Sequence, residues 1–211
     1  IARAAAVVVP SQATAADVRT FVPEAQAPRV IPFGADHVAP AARAPHPFAG
    51  RPFALCLGTI EPRKDHLTLL AAWRQLPAPR PLLVVVGRIG WQCEPIVEAL
   101  RLAERHGLAS WLPAADDAHT AALLQHAALA VNPARGEGFG FPPLEAMQLS
   151  VPVVAADIAP MRELGDGALE LVAEHDANAL AAGIERVLCD PDRAERFRAA
   201  GRRRAAAFRW A

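Results

Sequence analysis

Four short apolar runs constrain the fold of this chain most: Phe53–Leu57, Leu82–Val86, Ala128–Val131 and Val151–Ala155. None alternates with polar residues, so each must be buried on both faces, as strands are inside a parallel sheet covered by helices. Helical patterns separate them. Lys64 to Leu76 sets Leu67, Leu70 and Ala71 on one face, Glu94 to His106 aligns Ile96, Leu100 and Ala103, and Ala118 to Ala127 supplies a third helix. A short strand is expected around Trp111-Leu112. Pro142 or Pro143 suits the first turn of a helix running to about Leu149, where a missing N–H costs nothing. Leu180, Ile184, Val187 and Leu188 mark a late amphipathic helix, and Pro191 opens the last one. At the start, Ala5–Val9 and Arg29–Phe33 read as strands around a helix, and the aperiodic stretch 34–52, with Pro40, Pro45, Pro47 and Pro52, reads as a loop. The expected fold is α/β, a Rossmann-like doubly wound parallel sheet with right-handed crossovers.

The 211 residues are read as one domain, 1–211, with 53% hydrophobic residues to supply its core. Lys plus Arg equals Asp plus Glu at 22 each, so no overall field favours a nucleic acid, and any anion site must be local. Arg202, Arg203 and Arg204, beside Arg196, Arg198 and Arg209, form the one basic cluster. It admits a solvated or interdomain face, or a contact with a membrane surface or acidic partner. Cys56, Cys93 and Cys189 are odd in number and lack metal-ligand spacing, which favours reduced thiols and a cytoplasmic protein. No apolar run approaches the roughly 20 residues that span a bilayer. A start at Ile1 and an end at Trp210-Ala211 suggest a piece of a larger protein.

In such sheets ligands bind beyond the carboxyl ends of the strands, where loops lead into helix N-termini. Two loops there carry chemistry. Gly58-Thr59-Ile60-Glu61-Pro62-Arg63-Lys64 leaves a buried strand and sets two cations beside a helix start, against the local dipole, so an anion is expected to compensate. It lacks P-loop spacing. Gly136-Glu137-Gly138-Phe139-Gly140-Phe141-Pro142-Pro143-Leu144-Glu145 joins three alternating glycines, two carboxylates and a helix N-terminus, a combination suited to a phosphate or sugar ligand.

Together these loops resemble the donor-binding, C-terminal half of the family 4 (group 1) retaining glycosyltransferases, which have two facing Rossmann-like domains. Glu137 to Glu145 stands as the family's Glu-x7-Glu motif and Gly58 to Lys64 as its arginine-lysine loop, and the stretch Val86 to Trp91 is also similar. The resemblance implies that Glu145 holds the ribose hydroxyls and Glu137 the hydroxyls of the transferred sugar. It implies that backbone N–H groups from Phe139 to Leu144 bind sugar and phosphate, and that Arg63 and Lys64 neutralise the diphosphate. Gly58, Thr59, Gly138, Phe139, Gly140, Phe141 and Leu144 complete the expected donor-binding set, with Glu137, Lys64 and Arg63 as its catalytic members. The substrate is a nucleotide-diphosphate sugar, with no cofactor and no metal, and hexose transfer with retention to a glycan or lipid-linked acceptor is expected of the parent. Its partner is an N-terminal acceptor domain of the same parent chain, and peripheral association with the inner face of a membrane stays open. The wording Thr-Ile-Glu-Pro-Arg-Lys resembles transferases of bacterial surface polysaccharides, some of them mannosyltransferases. Thr59 departs from the family by standing where many relatives carry a second arginine, and Arg88 or Arg135 could substitute.

Other readings compete. Paired carboxylates could serve a glycosidase, and the chain could be a non-catalytic nucleotide-sugar binding module or half of a nucleotide-sugar epimerase. His66 is read as a cap or surface residue in preference to a donor contact, and Trp91 as core cover in preference to a lid.

Overall fold

The computed structural model describes residues 4–38, 47, 48 and 50–210. Pro40 and Pro45, within the proline-rich stretch expected to be loop, lie outside the described residues, as do Ile1 and Ala211.

The elements run β1 (Val8–Val9), α1 (Gln12–Phe21), β2 (Arg29–Val30), β3 (Phe53–Leu57), a 3-10 turn (Pro62–Lys64), α2 (His66–Gln75), β4 (Leu82–Val86), α3 (Glu94–Arg105) and β5 (Ala109–Leu112). They continue as α4 (Asp117–His126), β6 (Leu129–Asn132), α5 (Phe141–Gln148), β7 (Val153–Ala156), α6 (Ala159–Gly165), β8 (Glu170–Val172), α7 (Ala177–Cys189) and α8 (Pro191–Ala205). The main sheet has six parallel strands in the order β5-β4-β3-β6-β7-β8.

Strand pleating divides the core in two. Ala54, Cys56, Leu83, Val85 and Val131 face Leu69, Leu70 and Trp73 of α2, Ile96 and Leu100 of α3, and Ile184 of α7. Phe53, Leu55, Leu82, Val84 and Ala155 face the other way, toward Leu123 and Leu124 of α4, Leu144 and Met147 of α5, and Met161 of α6. Each fully buried aliphatic or aromatic side chain contributes about 1.5–3 kcal/mol, which is why unbroken apolar strands specify this two-sided layering.

Four differences from the sequence reading have physical causes. First, among the described residues β1 and β2 pair only with each other, as a separate two-stranded parallel sheet. Second, α2 buries His66, Leu69, Leu70 and Trp73, an i, i+3, i+4, i+7 stripe, and leaves Leu67 46% exposed. The helix starts after the 3-10 turn, so its inward face is one residue out of phase with the stripe expected from Leu67, Leu70 and Ala71.

Third, α6 and β8 were not expected. Glu170 in β8 is a charged residue buried on a strand, held by Arg186 at 2.6 Å and Arg193 at 2.7 Å. Fourth, Arg204 turns inward instead of joining a solvated face. Its Nε and Nη2 donate to the carbonyls of Leu164 and Glu163 at the C-terminal end of α6, capping that helix, while its guanidinium sits 4.8 Å from the Phe208 ring centroid.

Candidate functional site

The strand order reverses between β3 and β6. From β3 the chain winds outward through β4 to β5, then returns to place β6 on the other side of β3 and winds outward again through β7 to β8. Loops leaving neighbouring strands at such a point diverge and open a crevice for ligands. The loops leaving β3 and β6 are the two that the sequence singled out.

The β3 loop is anchored from beneath. Ile60 is fully buried, its N–H donates to the Arg88 carbonyl at 2.8 Å, and its own carbonyl accepts from Gly90 N–H at 3.0 Å. This holds the 3-10 turn Pro62–Lys64 at the sheet's edge. Asp65 then takes the left-handed conformation (φ 52°) before α2, with its buried carboxylate accepting from Thr68 Oγ1 at 2.9 Å and lying 2.8 Å from His175 Nδ1. Arg63 and Lys64 therefore precede the α-helix instead of opening it.

Arg63 and Lys64 both meet the glycine loop. Lys64 Nζ donates to Glu137 Oε1 at 2.6 Å, and Arg63 Nη1 donates to Glu137 Oε2 at 3.2 Å and to the Gly136 carbonyl at 2.6 Å. Arg63 Nη2 also donates to Glu61 Oε1 at 2.6 Å, and Trp91 Nε1 donates to Glu61 Oε2 at 3.1 Å. The Lys64 and Glu137 side chains are 11% and 8% exposed, and Arg63 is more open. Two cations and two carboxylates thus form a locally neutral network, so an incoming anion must take the cations over from Glu137 and Glu61.

Beyond Glu137 the loop reaches α5 through Gly140, whose φ of 106° suits glycine. Phe139 is buried, packing edge-on to Phe33 and Phe208, and the Phe141 ring stacks on Phe33 at 4.7 Å. These contacts fix the loop. The N–H groups of Phe139, Gly140 and Phe141 donate to no other described residue and stand where the chain enters α5. Leu144 does not share that role: its N–H donates to the Gly140 carbonyl at 3.1 Å inside the helix, and its side chain is fully buried. Pro142 and Pro143 have no N–H to offer.

Glu145 follows on the next turn of α5, its Oε1 3.5 Å from His37 Nε2. Burial raises its carboxyl above the ordinary carboxylate range, and His37 partly opposes that shift. Gly58 lies beneath the Lys64 stem, Thr59 is half-buried, and Gly138 is exposed. Arg88 and Arg135 are exposed at the loop margins, and Arg135 N–H donates to the Arg63 carbonyl at 2.9 Å.

Two other expectations are corrected. His66 is neither cap nor surface residue: it is fully buried, with both ring nitrogens unpartnered among the described residues, and burial pulls its pKa down to about 4. Trp91 is no core cover, being 54% exposed and held by Glu61 through its indole N–H. Glu61 and His37 received no role from the sequence. Glu61 could have been noticed as an acid two residues from Arg63, whereas nothing in the spacing links His37 to Glu145. A neighbouring hollow of about 630 Å³, lined by Ile89, Cys93, Val97 and Arg101 among others, does not include the Lys64–Glu137 pair. Among the described residues, no three His, Cys, Asp or Glu side chains converge as a metal-binding group, and no helix is long and apolar enough to cross a membrane.

Residues 39–204 match the family model "Glycosyl transferases group 1". The chain belongs to this family. Among its relatives, the O-antigen chain mannosyltransferase B of Escherichia coli is 33% identical over 162 residues, 75% of this chain and 42% of that protein. A phosphatidyl-myo-inositol mannosyltransferase of Mycolicibacterium smegmatis is 39% identical over 170 residues, 76% of this chain and 42% of that protein. The structure of sucrose-phosphate synthase from Thermosynechococcus elongatus superposes with a TM-score of 0.82 at 30% identity, over 98% of this chain and 55% of that one. The chain thus spans about half the length, or less, of these proteins, and its α/β fold is shared with the sucrose-phosphate synthase structure.

Proposed function

We propose that this chain is the donor side of a retaining glycosyltransferase that moves a hexose from a nucleoside-diphosphate sugar to a glycan or lipid-linked acceptor. The observation that carries this reading is the meeting of Arg63 and Lys64 with Glu137 at the β3/β6 switch point, beside the N–H groups of the loop that enters α5. Arg63 and Lys64 take the diphosphate, the N–H groups of Phe139, Gly140 and Phe141 take phosphate and sugar oxygens, Glu137 takes sugar hydroxyls, and Glu145 takes the ribose diol. Gly58, Thr59 and Gly138 line the approach. Negative charge grows on the leaving diphosphate as the glycosidic bond breaks, so fixed cations aimed there stabilise the transition state more than the ground state. The two side-chain cations fill that role without a metal.

Transfer requires an acceptor side, which the reading assigns to an N-terminal domain of the parent protein. The β1–β2 sheet supports it, because a lone two-stranded sheet is marginal in water, and Val8, Phe21 and Ile31 beside it are 58%, 79% and 47% exposed. The isolated chain binds donor without turnover, since closure of a second domain excludes water and orients the acceptor. The mannosyltransferase relatives make mannose the first donor sugar to test, in surface-polysaccharide synthesis on the cytoplasmic side, and the exposed Arg203 on α8 suits contact with the inner membrane surface. The test is transfer by the parent protein from GDP-mannose and UDP-glucose, with the product's anomeric configuration read by NMR. Retained configuration supports the reading, and inversion or donor binding without turnover overturns it.

A further inference from the structure

The segment carrying His37 is clamped between α5 and the residues that follow α8. Ala35 is fully buried and its N–H donates to the Phe208 carbonyl at 3.1 Å, while Asp36 Oδ1 accepts from Trp210 N–H at 2.9 Å. A Cβ on Gly34 would stand 2.4 Å from Trp210 N and 2.6 Å from Arg209 C, so the two backbones touch where no side chain fits. Phe33 packs on Trp210 at 5.7 Å and stacks on Phe141 in the first turn of α5.

This clamp fixes the imidazole of His37. Trp210 Nε1 donates to His37 Nδ1 at 3.3 Å. An indole N–H can only donate, so Nδ1 must be the accepting nitrogen and the ring proton sits on Nε2. Nε2 is the atom facing Glu145 Oε1 at 3.5 Å, the outer limit of a hydrogen bond. The imidazole therefore presents its N–H side to Glu145 Oε1.

We propose that His37, with its tautomer set by Trp210, is a positioning residue that orients Glu145 for the nucleoside part of the donor. The inference rests on the donor-site reading above, in which Glu145 accepts hydrogen bonds from a vicinal diol. The relay Trp210–His37–Glu145 ties the α8 exit to the site, so the placement of residues 208–210 sets the affinity for nucleotide. His37 does not touch the ligand in this scheme and acts only through Glu145.

The test is calorimetric titration of the chain with GDP and UDP, together with its His37→Leu, His37→Gln, Trp210→Phe and Glu145→Ala variants, each checked for an unchanged thermal midpoint. His37→Leu and Trp210→Phe are expected to weaken the diphosphate that binds by roughly three- to tenfold, the loss of about one hydrogen bond. His37→Gln, which keeps an N–H donor near the Nε2 position, is expected to recover affinity to within about twofold. A merely structural role for His37 would not distinguish leucine from glutamine in this way. If Glu145→Ala weakens binding while His37→Leu or Trp210→Phe does not, the relay is wrong and the donor reading stands. If Glu145→Ala changes nothing, or neither diphosphate binds, the donor reading itself fails.

Discussion

Lys64 Nζ and Glu137 Oε1 lie 2.6 Å apart across 73 residues of sequence, in a pair almost closed to solvent. Each side chain comes from one of the two loops that leave the sheet at its switch point, so the contact joins both halves of the proposed donor site. In the free protein the pair satisfies both charges. A donor whose diphosphate draws Lys64 and whose sugar hydroxyls draw Glu137 would replace each lost partner with a new one.

Lys64→Ala is expected to cost roughly 1.5–3 kcal/mol of nucleoside-diphosphate binding, the range for hydrogen bonds to charged groups. Stripping one partner from a buried pair also strands the other charge, at up to about 3–5 kcal/mol of stability. Glu137 keeps Arg63 at 3.2 Å, so the loss of fold stability should fall below that range. Calorimetric titration reads the first effect and urea unfolding the second, and an unchanged dissociation constant would remove Lys64 from the site.

Two glycines of the same loop are expected to part company. At Gly140 the φ is 106° and an added Cβ would stand 2.4 Å from Met161 Cε, so Gly140→Ala should destabilise the fold by at least about 2 kcal/mol. At Gly138 an added Cβ would stand 3.8 Å from Thr14 Oγ1, an ordinary contact. Gly138→Ala should therefore leave the thermal midpoint within about 2 °C and, if the proposed donor lies over this loop, weaken nucleotide-sugar binding through the added methyl. Full binding by Gly138→Ala would place the donor elsewhere.

His66 gives stability a pH dependence. Burial, reinforced by the positive charge of Lys64, lowers its pKa to about 4. An unfolded-chain histidine titrates near about 6.5, so the unfolded state takes up a proton first as pH falls. His66 then destabilises the fold progressively between pH 6.5 and 4, by about 3 kcal/mol in all, and exerts no such penalty above that window. His66→Leu should flatten this part of the stability curve in urea unfolding series at several pH values. An unaltered slope in the variant would assign it to other groups.

Much of this architecture was legible because burial on two faces leaves a simple signature. Phe53–Leu57 and Leu82–Val86 carry five consecutive apolar residues each and occupy the expected positions as β3 and β4. β8 was hidden because Glu170 reads as a surface residue until Arg186 and Arg193 are brought to it from two later helices. α6 is short, and its capping by Arg204 depends on a residue some 40 positions away. Within the candidate site, both loops could be read from glycine, charge and proline patterns. The burial of His66 and the His37–Glu145 contact could not, since each depends on tertiary packing that leaves no periodic trace. The inability of Leu144 to donate was a matter of helix phase, settled only once α5 was seen to begin at Phe141.

The central claim is that Glu137 faces the sugar of a donor whose diphosphate lies against Arg63 and Lys64. The most direct measurement compares Glu137→Ala with the unaltered chain in calorimetric titrations of a nucleoside diphosphate and of the same diphosphate carrying its hexose. The account predicts about a tenfold or greater loss for the hexose conjugate, near 1.4 kcal/mol or more, with little change for the bare diphosphate. Equal losses for both ligands would contradict it.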